Sequence, residues 1–166
     1  LTTSSAASDV YKRQPIVDAG MKELYEMGWM HNRVRMIVGS FLTKNLLLHW
    51  KEGERWFFDT LVDADIGSNS AGWQWISGSG ADASPYFRIF NPILQGKKFD
   101  PRGEYVKKFI PSLNKIPEKF IHSPWEMSIE EQEKYNFKLG RDYPNPIVDL
   151  SDTRKRALAA FKKISA

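Results

Sequence analysis

From residue 32 onward the apolar side chains recur at a helical period. Val34, Ile37, Val38, Phe41, Leu42, Leu46 and Leu48, with Asn45 and His49 on the same rows, predict a helix over 32–50. An earlier helix over 15–27 is predicted by Pro15 in its first turn, an apolar face of Ile16, Met21, Leu24 and Met27, and Gly28 as its stop. A third, over 53–62, carries Trp56, Phe57 and Leu61. The pattern then changes. Residues 63–85 are rich in Gly, Ser, Ala and Asn around Trp73 and Trp75, which predicts a functional loop holding a short helix at most. Residues 86–91 form a compact aromatic segment closed by Pro92, and Asp100-Pro101 predicts a capped helix to 110. Pro111, Pro117, Pro124, Pro144 and Pro146 punctuate a loop-rich region, within which Ser128 and Glu131 have capping-box spacing for a helix to 135. A last helix is expected over 152–164, with Leu158, Phe161 and Ile164 inward. No alternating run exceeds four residues and no internal repeat is present, so the expected fold is all-α. Residues 1–14 are small, polar and aperiodic; they read as a disordered tail or a non-native scar, leaving 15–166 as the helical domain.

Composition narrows the chemistry. With 166 residues and 42% hydrophobic content the chain suits one domain with a core. A net charge of +4 permits an anionic partner without requiring one. Cysteine is absent, which removes disulfides, zinc–thiolate sites and thiol nucleophiles, and His31, His49 and His122 lack metal-ligand spacing, so no metal is expected. No apolar run approaches the ~20 residues of a membrane span, and no signal peptide is evident, so a cytoplasmic protein without membrane contact is expected.

Three groups of residues are candidates for function. Trp50, Trp73 and Trp75 suit a core, yet the last two sit in a Gly/Ser-rich stretch at i, i+2. That spacing sends one ring inward and lets the other line a cavity, where an indole stacks on a flat cofactor or an extruded base. Arg33 and Arg35 stand in the first turn of a helix, an end that favours anions, so they need a carboxylate partner or phosphates rather than solvent alone. Asp63 and Asp65 could supply the carboxylates, or could be solvent-facing loop residues; a general acid–base pair would lack a nucleophile nearby. The basic doublets at 97–98, 107–108, 154–156 and 162–163 read as solvated faces.

Taken together, Trp29-Met30-His31-Asn32-Arg33-Val34-Arg35-Met36, Asp63-Ala64-Asp65, Asn69, Gly72-Trp73-Gln74-Trp75 and Tyr86-Phe87-Arg88-Ile89-Phe90-Asn91-Pro92 closely resemble class I cyclobutane pyrimidine dimer DNA photolyases, in the C-terminal part of their helical FAD-binding domain. The similarity runs from Pro15 through the Tyr143-Pro144-Asn145-Pro146-Ile147-Val148 stretch to the last helix. It implies a light-driven lyase in which reduced, excited FAD donates an electron to a dimer flipped out of UV-damaged DNA, and the electron then returns. By resemblance Arg35 pairs with Asp63 beside the isoalloxazine, Asp63, Ala64 and Asp65 contact the flavin, Asn69 faces its N5, and Trp29 and Asn32 line the cofactor pocket. Trp73 and Trp50 match the proximal and middle members of the tryptophan chain that reduces the flavin. Met36 and Trp75 match residues packing on the flipped dimer, and Asn32, Arg33 and Arg88 match DNA contacts.

Asn69 favours repair over signalling, since plant-type cryptochromes carry Asp there and animal-type ones Cys; the 29–36 stretch also lacks the histidine pattern of (6-4) photolyases. The family's antenna domain, the first half of its FAD domain and its distal tryptophan have no counterpart in this sequence. A fragment is therefore expected, binding FAD weakly or not at all on its own, from a parent that is a monomer. The alternatives are a cryptochrome-like photoreceptor, a non-catalytic nucleic-acid-binding module, or a helical scaffold.

Overall fold

The computed structural model describes residues 13–164, the last of them by its backbone alone. The elements are α1 (Pro15–Met27), α2 (Asn32–Ser40), a π-helical turn (Phe41–Asn45), α3 (Trp50–Thr60), α4 (Ile66–Ser77), α5 (Pro92–Phe99), α6 (Glu104–Phe109), three 3₁₀ turns (Pro111–Lys115, Glu118–Phe120, Pro124–Glu126), α7 (Ile129–Lys134) and α8 (Leu150–Ile164). No strand occurs among the described residues; a single bridge pairs Leu139 with Tyr143. The fold is all-α, as the periodicity predicts.

The chain separates into two compact units, and the division falls inside α1, between Lys22 and Glu23. One unit comprises residues up to 22 and 92–147; the other comprises 23–91 and 148 onward. In the first, Val106, Leu113, Ile121 and Phe137 are buried. Asp18, on α1, accepts a very short hydrogen bond from the Tyr143 hydroxyl and two from the Arg13 backbone N–H at 2.8 and 2.9 Å. The expected tail lies outside the described residues as far as 12; Gln14 is buried, and its carbonyl accepts from the N–H groups of Val17 and Asp18.

α6 begins at Glu104, three residues later than the Asp100-Pro101 signature predicts. The Asp100 carboxylate still serves that end, accepting from the N–H groups of Tyr105 and Val106 at 3.1 and 3.0 Å. Its backbone carbonyl accepts from the buried ring of His122 at 2.7 Å. α5 follows Pro92, which opens this helix as well as closing the aromatic segment before it. The capping box of α7 forms as its spacing predicts: Ser128 accepts from the Glu131 N–H, and Glu131 accepts from the Ser128 N–H.

The second unit departs from the predicted pattern at three places. The helix expected over 32–50 stops at 45. Its final turn is π-helical, closed by the Leu46 N–H bonding the Phe41 carbonyl at 3.0 Å, and Leu47 then takes a left-handed φ of 56°. Apolar periodicity continues through the break and cannot reveal it. Secondly, α3 starts at Trp50 instead of 53, because the Nδ1 of His49 accepts from the Lys51 N–H at 3.3 Å and caps it.

Thirdly, the stretch expected to be a loop contains the twelve-residue α4. The Asp65 side chain caps it, accepting from the Ser68 N–H at 2.7 Å, and Gly78 at φ 81° ends it. Its Ile76 and Trp73 pack closely on glycines of the neighbouring helices. The β-carbon position of Gly39 on α2 lies 2.9 Å from Ile76, and that of Gly53 on α3 collides with the ring of Trp73. α8 docks on the π-turn, where Asn45 Nδ2 donates to the Thr153 hydroxyl at 2.9 Å and Arg156 donates to the Asn45 carbonyl at 2.6 Å. Of its expected inward residues, Leu158 and Phe161 are half-buried, and Phe161 stacks on Tyr86 with centroids 4.5 Å apart.

Candidate functional site

A cavity of about 480 Å³ lies within the second unit, walled by α2, α3, α4 and the 61–65 connection. α2 contributes Asn32, Arg35, Met36 and Gly39, an i, i+3, i+4, i+7 set that shares one helix face. α4 contributes Ser68, Asn69, Gly72, Trp73, Trp75 and Ile76. Phe57 comes from the C-terminal end of α3, with Leu61, Asp63 and Asp65 from the connection after it. The result is a recess with polar and charged groups at Asn32, Arg35, Asp63, Asp65, Ser68 and Asn69 and apolar or aromatic walls elsewhere, the composition of a small-molecule site.

Three side chains have their orientation set by the backbone. The Nε of Arg35 donates to the Met30 carbonyl at 2.7 Å, while its Nη2 stands 4.0 Å from Asp63 Oδ1, the outer limit of an ion pair. The carbonyl therefore does more than Asp63 to fix this guanidinium. The Nδ2 of Asn69 donates to the Glu54 carbonyl at 2.8 Å, which fixes the amide and leaves Oδ1 as its acceptor and the second N–H as a donor. Asp65 holds its carboxyl below the usual carboxylate range through its hydrogen bond from the Ser68 N–H. Trp73 is buried and meets Phe57 edge-on at 5.0 Å, whereas Trp75, two residues on, is half-buried on the cavity wall.

Not every expected site residue faces this recess. Asn32, Arg35, Met36, Asp63, Asp65, Asn69, Trp73 and Trp75 line it; Trp29, Arg33, Trp50, Ala64 and Arg88 do not. Trp29 is 45% exposed, edge-on to His31. Trp50 stacks on His49 at the start of α3, one turn before Gly53. Arg88 is exposed on the segment after α4, its guanidinium 5.7 Å from the Phe90 ring centroid. Gly39, Phe57, Leu61, Ser68 and Ile76 are lining residues that the sequence did not mark as site residues, and Gly72 entered only as part of the Gly72–Trp75 stretch. Phe57 and Leu61 carried only the signature of a helix core, and Ser68 and Gly72 that of a loop. His31, like His49, proves to be a helix cap, its Nδ1 accepting from the Arg33 N–H at 3.1 Å. Among the described residues no cluster of His, Asp or Glu could hold a metal ion, and no helix is long and apolar enough to cross a membrane.

Comparison with known proteins gives these residues a context. The family model described as the FAD binding domain of DNA photolyase matches residues 14–163. A deoxyribodipyrimidine photo-lyase of Agrobacterium fabrum is 60% identical over 150 residues, covering 90% of this chain and 31% of that protein. The crystal structure of a class III photolyase from Agrobacterium tumefaciens superposes with a TM-score of 0.91 at 56% identity, over 98% of this chain and 34% of that one. A cryptochrome from Synechocystis superposes at 0.85 with 40% identity, over 90% of this chain and 31% of that one. The chain thus spans about a third of the length of these relatives, and the comparisons support the family but not the class I assignment within it. On the match across 14–163 and the shared fold, the chain belongs to the family of FAD-binding domains of DNA photolyases.

Proposed function

We propose that this chain supplies one wall of the flavin site, and part of the DNA-contacting surface, of a light-driven deoxyribodipyrimidine photo-lyase that repairs pyrimidine dimers. The observation that carries the reading is the cavity together with Gly72. A β-carbon added at Gly72 meets nothing within 4 Å although the residue lines the recess, so the chain's own packing does not demand a glycine there. Space kept open beside Trp73 and Asn69 fits a planar cofactor.

When bound, FAD would supply light-driven electron donation to the lesion. The residues of this chain have the tasks of binding and orientation. Arg35, Asp63 and Asp65 form the polar rim that holds it, Asn32 and Ser68 add hydrogen-bonding groups, and Asn69 offers an acceptor oxygen to a ring N–H. The Trp73 indole forms the apolar wall, and its abutment on Gly53, one turn after Trp50, supports reading Trp73 and Trp50 as successive members of an electron path. Met36 and Trp75, on the same cavity, suit contact with an unstacked base, and Arg33 and Arg88 suit phosphates.

Titration of the purified chain with FAD, followed by flavin fluorescence and far-UV circular dichroism, tests the binding half of this reading. Repeating it with the remaining part of a homologous photolyase added tests whether the wall is completed in trans. Saturable binding that Arg35→Ala and Asp63→Ala weaken supports the proposal; no binding under either condition removes it. The cryptochrome-like alternative rests on the Synechocystis relative, and dimer repair by the completed assembly under blue light separates the two.

A further inference from the structure

Lys44 is wholly buried, yet no carboxylate lies within ion-pair distance of it among the described residues. A buried ammonium is costly, and a methionine or leucine would fill the same volume without that cost. What the ammonium does that they could not is bind one short segment twice. Its Nζ donates to the Arg88 carbonyl at 3.2 Å and lies 5.1 Å from the centroid of the Tyr86 ring. Four residues earlier, the buried hydroxyl of Ser40 accepts from the Phe90 N–H at 3.0 Å. Ser40 and Lys44 together therefore pin the backbone of 88–90 on both sides of Ile89. That segment has no helix or ladder of its own; its turns close through Arg88 N–H to Pro85 and Ile89 N–H to Phe87, each at 2.9 Å. The Arg88 side chain leaves it into solvent, and Phe87 is 68% exposed.

We propose that Lys44 is a positioning residue, whose buried bond to the Arg88 carbonyl holds the 86–90 turn in the one conformation that presents the Arg88 guanidinium outward. The functional part of this inference rests on reading Arg88 as a phosphate contact; the conformational part does not.

Hydrogen exchange of the full chain decides the conformational part. In Lys44→Met the amides of 88–90 should exchange about tenfold faster, with α4 unchanged and Lys44→Arg restoring most of the protection. Unchanged exchange at 88–90, or acceleration spread evenly over the core, overturns the inference. Should Lys44→Met not fold, Lys44→Gln carries the same expectations. A fluorescence titration with a dimer-containing oligonucleotide tests the functional part, where Lys44→Met should lose as much affinity as Arg88→Ala. Loss in Arg88→Ala alone overturns the positioning role while the DNA reading stands. If the wild type does not bind, the DNA reading fails and hydrogen exchange still decides the conformational claim.

Discussion

The six-membered ring of Trp73 lies against the backbone of Gly53, so closely that a β-carbon at 53 would collide with Cη2 and Cζ3. The glycine has no unusual φ to serve; its task is to let α3 and α4 approach until an indole seals the floor of the cavity. Gly53→Ala, harmless to a free helix, should therefore destabilise the protein by about 1–3 kcal/mol through overpacking. Urea unfolding measures this, and a shifted Trp emission should accompany it. An unchanged midpoint would mean that the ring moves aside freely.

Gly72 makes the opposite case. Alanine in the middle of a helix is favoured over glycine by roughly 0.5–1 kcal/mol, and the added methyl meets nothing in the chain. Gly72→Ala should unfold at slightly higher urea yet bind FAD more weakly. Equal or tighter flavin binding would show that the space serves something else.

Lys44 ties stability to pH. Burial first, and the nearby Arg88 charge second, lower its pKa from 10.5 to about 8. Below pH 8 the folded chain carries a buried charge that the unfolded chain keeps in water, so Lys44 opposes folding there. Between pH 8 and 10.5 the folded form releases its proton first, and stability rises with pH. Relative to Lys44→Met, the wild type should gain about 3 kcal/mol across that interval. Parallel curves for the two proteins in denaturant titrations would contradict this. The variant should thus be the more stable protein at neutral pH while its 88–90 turn is the looser.

Asp18 and Tyr143 join α1 to the end of the proline-punctuated region. Burial, and then the Asp18 charge, push the Tyr143 phenol well above its usual value. A raised phenol pKa means that this contribution is complete below pH 10 and is lost as pH rises through the folded value. Tyr143→Phe should cost about 1–3 kcal/mol at neutral pH by removing a donor from a buried carboxylate. In the wild type, spectrophotometric titration should find one phenol that ionises only on unfolding.

Asp65 is expected to act as a cap whatever else it binds. Asp65→Ala should lower the melting temperature by roughly 2–4 °C, and Asp65→Ser should recover most of the loss. Because the folded carboxyl sits below its ordinary pKa, its contribution is present above that value and fades as pH falls through the lowered one. A thermal scan in which Asp65→Ala matches the wild type at neutral pH would remove the capping role.

Local signals were the legible ones. Pro15 and Gly28 bound α1 as expected, and the Ser128–Glu131 box starts α7, because each acts within a few residues. α4 was hidden by its composition: its glycines and serines resemble a loop, while the Asp65 cap and the packing of Trp73 and Ile76 on Gly53 and Gly39 of the neighbouring helices hold it as a helix. The cavity was legible where a side chain is chemically unusual in its setting, as with Arg35, Asp63 and Trp75. It was not legible at Phe57 and Ile76, which line the cavity and serve the core with the same atoms. Trp50 and Arg88 do not line the recess: one stands at the start of α3 and the other on the segment after α4.

The turn at Phe41–Asn45 makes the chain's length a fixed quantity at this place. A π turn closes five residues where an α turn closes four, and removing any one residue would let the helix run regularly through it. The α-helix so restored would swing Lys44 and Asn45 about the axis. One deletion would then release the Arg88 segment and the α8 anchor together, although it touches neither. Substitutions at these positions are local events, whereas insertions and deletions there are global ones, and a scan of one-residue deletions across 39–47 should show loss of folding confined to this window.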